Sequence, residues 1–161
     1  MFNLKAEFYL KIIFLFSFIA LISAFFIEYV LGHQPCNLCL IERIPYGLSM
    51  MIIMAIFLIR KNQKFLVMLL ILTFIFSFAI SFYHFGIEQG FFQESSVCGV
   101  KSSTEIVTKE DLLKQLSEKT ISCKDVTFRI FGLSLTSINI VISLLFIITL
   151  LKIFKKYEKN K

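Results

Sequence analysis

The sequence predicts an all-α membrane protein, a bundle of four transmembrane helices with a short amphipathic helix in its second outer loop. Three observations predict it. Four long apolar stretches divide the 161 residues. Hydrophobic side chains make up 57% of the chain, against roughly 45–50% in soluble domains. Lysine and arginine gather beside the apolar stretches rather than within them. A soluble fold of this length has too little interior to hide so much apolar surface. The 20 phenylalanines, with no tryptophan, are therefore side chains for lipid or for helix seams. The length suits one domain, so residues 1–161 are expected to form a single integral membrane domain.

A span needs about 20 apolar residues to cross a hydrocarbon core of roughly 30 Å. The first candidate covers residues 8–31, with Lys11 and Glu28 close enough to its ends to snorkel to an interface. It is long for the apolar core of a cleaved leader, and no small-x-small site ends it, so it is expected to stay as a span. The second covers 44–59, bounded by Arg43 and Arg60; Pro45 suits a first helical turn and argues for a start near Ile44. The third, 65–87, holds no formally charged residue and carries His84 near its end. The fourth covers 130–151. The outer loops are then 32–43 and 88–129. In the longer loop, Thr108 followed by Glu110 and Asp111 resembles a capped helix start, and Leu112, Leu113 and Leu116 share one face. A short amphipathic helix is expected there.

The net charge of +6 does not imply nucleic acid, because its sources are short basic flanks. Lys5 and Lys11 precede or open the first span. Arg60, Lys61 and Lys64 lie between the second and third, and Lys152, Lys155, Lys156, Lys159 and Lys161 end the chain. The first connecting loop carries only Arg43. The positive-inside rule then places both termini in the cytoplasm and both cysteine-bearing loops outside.

All four cysteines lie in these loops or at a helix boundary. Pro35-Cys36-Asn37-Leu38-Cys39 is the strongest local signal: at this spacing two thiols can close a small disulfide, hold a metal, or cycle between dithiol and disulfide. Redox cycling is the preferred reading. Zinc would need Cys98 and Cys123 as well, and these form no second C-x-x-C. An oxidising compartment also favours disulfides over metal thiolates. A disulfide between Cys98 and Cys123 would be an ordinary staple on its own, and a second redox centre beside an exposed C-x-x-C. Cys39 stands just before the second span, where a helix N-terminus and Arg43 would favour its thiolate. The plainer role for Arg43 is an interfacial anchor. His84 is ionisable at membrane depth, which points to function, with a satisfied interfacial histidine as the alternative. Gly86 and Gly90 make a G-x-x-x-G, and Glu28 could face the interface or the same site.

With these residues in place, the chain resembles the DsbB family of membrane thiol oxidases. The resemblance covers nearly the whole chain: four spans, a C-x-x-C in the first outer loop, two cysteines in the second, and Arg43 four residues after Cys39. It implies reoxidation of a periplasmic thioredoxin-like DsbA-type protein, with electrons passed to a membrane quinone, ubiquinone or menaquinone, in the bacterial inner membrane. It further implies disulfides Cys36–Cys39 and Cys98–Cys123, with Cys98 attacked by the partner and Cys123 released. The Cys36–Cys39 pair would reoxidise the other, Cys39 would face the quinone, and Arg43 and His84 would line its site. The segment before Cys98 lacks the prolines often found in the family, which bears on docking of the partner. Two other classes compete. One is a vitamin K epoxide reductase-like enzyme, whose active C-x-x-C follows later spans; the other is a non-enzymatic subunit with static disulfides.

Overall fold

An α-helix rises about 1.5 Å per residue, so crossing a bilayer while bonding every backbone group internally takes 20 or more residues. Four helices meet this condition in the structure, a computed structural model that describes residues 4–59, 62–93, 123–124, 129–130 and 133–159. They are α1 (Leu4–Tyr29), α2 (Asn37–Leu58), α3 (Gln63–Glu88) and α4 (Leu135–Lys159). All four are long and apolar enough to span a membrane. Two strands, β1 (Arg129–Ile130) and β2 (Leu133–Ser134), pair antiparallel before α4. The amphipathic segment expected around residues 108–116, and Cys98, lie outside the described residues.

The helices depart from the expected spans 8–31, 44–59 and 130–151: α1 starts at Leu4, the last helix runs on to Lys159, and the starts of α2 and α4 are displaced. The second helix begins at Asn37 rather than near Ile44, with Pro45 inside it. Proline removes one N–H from the ladder and leaves the Ile41 carbonyl without its usual donor, a loss that packed membrane helices tolerate. The fourth helix begins at Leu135, directly after β2, whose Leu133 and Ser134 are held in the ladder with β1. Ser134 then caps it, its Oγ accepting from the Ser137 N–H at 3.2 Å.

The seams follow spacings of three and four. Ala6, Leu10, Ile13 and Ser17 are the buried face of α1. Along α3 the buried row is Val67, Leu70, Phe74, Ser77, Ser81 and His84, and along α4 it is Thr136, Asn139, Ser143 and Leu150. Outward faces are equally apolar: Phe8, Ile12, Leu15, Phe18, Ile22 and Phe26 of α1 are exposed. That suits lipid and would be a large association-prone patch in water.

Contacts between helices show each running antiparallel to the one before. Ser17 and Ser49 hydroxyls meet at 3.1 Å between α1 and α2. Ser77 and Ser143 do the same between α3 and α4, while Lys64 sits over the Phe154 ring. Small hydroxyl side chains allow such close backbones and satisfy one another. Phe146 makes T-shaped contacts with Phe16 and Phe74, joining α1, α3 and α4. This apolar core, with Leu10, Ile53, Ile56, Leu70 and Leu150, fills the end of the bundle away from Cys36. The cysteine end is filled instead by polar side chains.

Candidate redox site

Winding α2 back to Asn37 puts the C-x-x-C on a helix N-terminus. Cys36 is the N-cap, extended at φ −72° and ψ 166°, and its Sγ accepts from the Cys39 N–H at 3.3 Å. The first turn therefore points unpaired N–H groups and the positive end of the helix dipole at this sulfur. Cys36 is 6% exposed, and Cys39 is half-buried in the same turn. Both are free thiols in this structure, the reduced form of the pair that the family resemblance implies. A cycling pair passes through both states.

His84 reaches the site from α3. Its Nε2 lies 3.6 Å from Cys36 Sγ, and its Nδ1 lies 2.9 Å from Glu42 Oε1 and 3.3 Å from Thr136 Oγ1. The Cys36 thiol is held well below the ordinary thiol range. Hydrogen bonding from Cys39 is the largest cause; burial opposes it, and the hydrogen bond and positive charge of His84 reinforce it. The sequence pointed to Cys39 as the sulfur favoured by the helix end, and the N-cap geometry gives that advantage to Cys36.

Around the imidazole, polar side chains from three helices interlock. Asn139 of α4 donates to Glu42 Oε2 at 3.1 Å and to Ser81 Oγ at 2.7 Å, while its Oδ1 accepts from Tyr46. Thr136 donates to Glu88 Oε1 at 2.8 Å. Glu42, Glu88, Thr136 and Asn139 received no role from sequence reasoning. The available signal was their position: Ser77, Ser81, His84 and Glu88 recur at spacings of four, three and four, so they share a face.

Arg43 donates to Glu28 of α1 and stacks over the Phe25 ring, 5.3 Å from its centroid. It is thus a tie between α1 and α2 as well as a cation one turn after Cys39. Gly86 and Gly90 serve a local turn. Gly90 has φ +78°, and a Cβ on Gly86 would run into the Phe92 ring.

Of the second pair, Cys123 is disulfide-bonded and buried, and Cys98, the partner expected for it, lies outside the described residues. Cys123 shares one buried cluster with Cys36, Leu38 and Ile87, with Cys39, Ile41 and Tyr83 packed against it. Cys36, Cys39 and His84 also bring three donor atoms within 4.8 Å of one another, a spacing compatible with a soft metal ion. The four-cysteine zinc set is not what is assembled, because a disulfide-bonded Cys123 offers no thiolate.

Comparison with known proteins agrees with this geometry. Residues 6–153 match the family described as "Disulfide bond formation protein DsbB". An uncharacterized protein of Rickettsia prowazekii (strain Madrid E) is 31% identical over 147 residues, which cover 90% of this chain and 86% of the relative. No solved structure matches the chain.

Proposed function

Given that the chain belongs to the DsbB family, and so is a multi-pass membrane oxidoreductase of disulfide bond formation, we propose that it oxidises a periplasmic DsbA-type dithiol protein and delivers the electrons to a membrane quinone. The observation that carries this reading is the burial of Cys36 and Cys123 in one cluster, at the N-cap of α2 and against His84.

The exchanges run through sulfur alone. A partner thiolate attacks Cys98 of a Cys98–Cys123 disulfide, forming a mixed disulfide and releasing Cys123 as thiolate. The partner's second thiol resolves the mixed disulfide and leaves oxidised, so Cys98 and Cys123 hold the two electrons. These sulfurs then reduce an oxidised Cys36–Cys39 pair by the same exchange chemistry. The low-lying Cys36 thiol suits it as the leaving sulfur in that step, since an acidic thiol departs faster.

The residues at this end fit a lipid-borne ring. Cys39 and Arg43 are half-buried one turn apart, beside the exposed apolar side chains of Leu40 and Ile44. Arg43 would hold a quinone oxygen with the N–H groups that Glu28 leaves open, and His84 would stand behind the thiols. When bound, a quinone supplies a two-electron, two-proton acceptor that the protein's own side chains lack. The basic flanks support a single domain in the bacterial inner membrane with cytoplasmic termini.

The test is quinol formation by the purified full-length chain supplied with a reduced DsbA-type protein. Cys98→Ser is expected to abolish the mixed disulfide with the partner while the Cys36–Cys39 pair is still oxidised by quinone. Normal partner oxidation by Cys98→Ser would overturn the assigned entry point.

A further inference from the structure

Two carboxylates face His84, and their hydrogen bonding differs. Glu42 has both oxygens engaged, Oε1 with His84 Nδ1 and Oε2 with Asn139 Nδ2. Glu88 has only one. Its Oε1 accepts from Thr136 and lies 3.9 Å from His84 Nε2, whereas its Oε2 is buried with no hydrogen-bond partner among the described residues. The Glu88 side chain is 6% exposed. An open carboxylate oxygen inside the bundle is a place where a hydrogen can be received. Glu42 thus orients the imidazole with both oxygens committed, and Glu88 keeps one oxygen open.

A continuous path joins Glu88 to the thiols. It runs from Cys36 Sγ to His84 Nε2 at 3.6 Å, from His84 Nδ1 to Thr136 Oγ1 at 3.3 Å, and from Thr136 Oγ1 to Glu88 Oε1 at 2.8 Å. The Thr136 hydroxyl donates to Glu88, so its lone pairs are left to share the His84 Nδ1–H that Glu42 Oε1 receives at the shorter distance. Every link can pass a proton away from sulfur. Glu88 is the last residue of α3, followed by exposed Gln89, Gly90 and Phe91, where the path reaches the end of the bundle.

We propose that Glu88 is the terminal proton acceptor for the Cys36–Cys39 dithiol, connected to it through His84 and Thr136. The inference rests on the thiol–quinone reading for its oxidant. Oxidation of the pair releases two electrons, which go to the quinone, and two protons. Cys36 stands as thiolate against a protonated His84, so the pair's second proton already rests on the imidazole; the Nδ1 proton passes to Thr136 Oγ1, and the hydroxyl proton to Glu88. The Cys36 thiolate closes the S–S bond to Cys39, whose own proton leaves towards the quinone with the two electrons, the second proton of the quinol coming from solvent, and Glu88 releases its proton at the bundle end. Reduction of the disulfide runs the same path backwards. Among the described residues, the titrating groups on the same side of the bundle are His84 on its own helix and Cys36, Cys39 and Glu42 of the α2 turn; Thr136 is its contact on α4. Cys123, in the Ile87 cluster, is disulfide-bonded and does not titrate.

The experiment uses the full-length protein with Glu88→Gln, Glu88→Asp, Thr136→Val and Thr136→Ser. Glutamine keeps an acceptor for Thr136 but takes no proton; valine removes the hydroxyl at constant shape. Single-turnover oxidation of the dithiol by quinone is expected to slow about tenfold or more in Glu88→Gln and in Thr136→Val, the scale of a lost acid–base group. Quinone KM should be unchanged, and Glu88→Asp and Thr136→Ser should recover part of the rate. The pH profile of Cys36 alkylation, measured without quinone in each variant, should differ from wild type in Glu88→Gln and Thr136→Val. Wild-type rates and an unchanged alkylation profile in Glu88→Gln and Thr136→Val would overturn the relay. If wild-type protein forms no quinol, the quinone reading fails, while the alkylation profiles still decide for or against Glu88.

Discussion

Cys36 and Cys39 are chemically identical and three residues apart, yet the fold makes them unequal. Cys36 occupies the N-cap, receives the Cys39 N–H, and meets His84; Cys39 sits within the first turn. A thiol held well below its ordinary range stays ionised as pH falls, because the folded protein stabilises the thiolate over the neutral form. Alkylation of Cys36 by a small reagent should therefore persist at pH 6, where an unperturbed thiol is only about 0.3% ionised. His84→Gln removes the imidazole that supports the thiolate, so its profile should shift to higher pH. Identical profiles in the two proteins would show that His84 does not act on this sulfur.

At the scale of elements, the informative change is the early start of α2. Seven residues more of helix, from Asn37 to Arg43, place Cys39 and Arg43 one turn apart on a common face and aim Arg43 at Glu28 of α1. The pair is half-buried, where an ion pair with good partners outweighs its exposed counterpart. Its function and its structural role separate by assay. Arg43→Ala should raise the apparent quinone KM about tenfold, equivalent to ~1.4 kcal/mol. Arg43→Lys and Glu28→Gln should have smaller effects, and thiol exchange with the partner in quinone-free single turnovers should stay near wild type. A fall in insertion or yield with unchanged quinone dependence would instead make Arg43 an anchor only. The turn after α3 illustrates the same point: a glycine pair that reads as a helix-packing motif in sequence serves Phe92 and a positive φ.

Across the whole molecule, the core is divided by polarity. One end is closed by Leu10, Ile53, Ile56, Leu70 and Leu150, the other by Glu42, His84, Thr136 and Asn139 beside the thiols. Antiparallel packing brings Lys64 and the basic end of α4 together at the apolar-cored end, opposite Cys36. On the proposed orientation, a membrane-impermeant thiol reagent added outside intact spheroplasts should label the cysteines after reduction. Labelling of Cys36 only after the cytoplasmic side is opened would reverse the topology. The sequence by itself determined the number of spans, the placement of all four cysteines away from their apolar centres, and the family. Length, charge and motif spacing are local quantities, and lipid imposes them residue by residue. Only the tertiary structure decided that Cys36 is the sulfur against His84, and that Glu42, Glu88, Thr136 and Asn139 surround it. These contacts join residues 42 to 97 positions apart. Helices apolar on their lipid face as well as their packed face carry little amphipathic signal to say which side turns inward, so the inward side is set by how the helices pack.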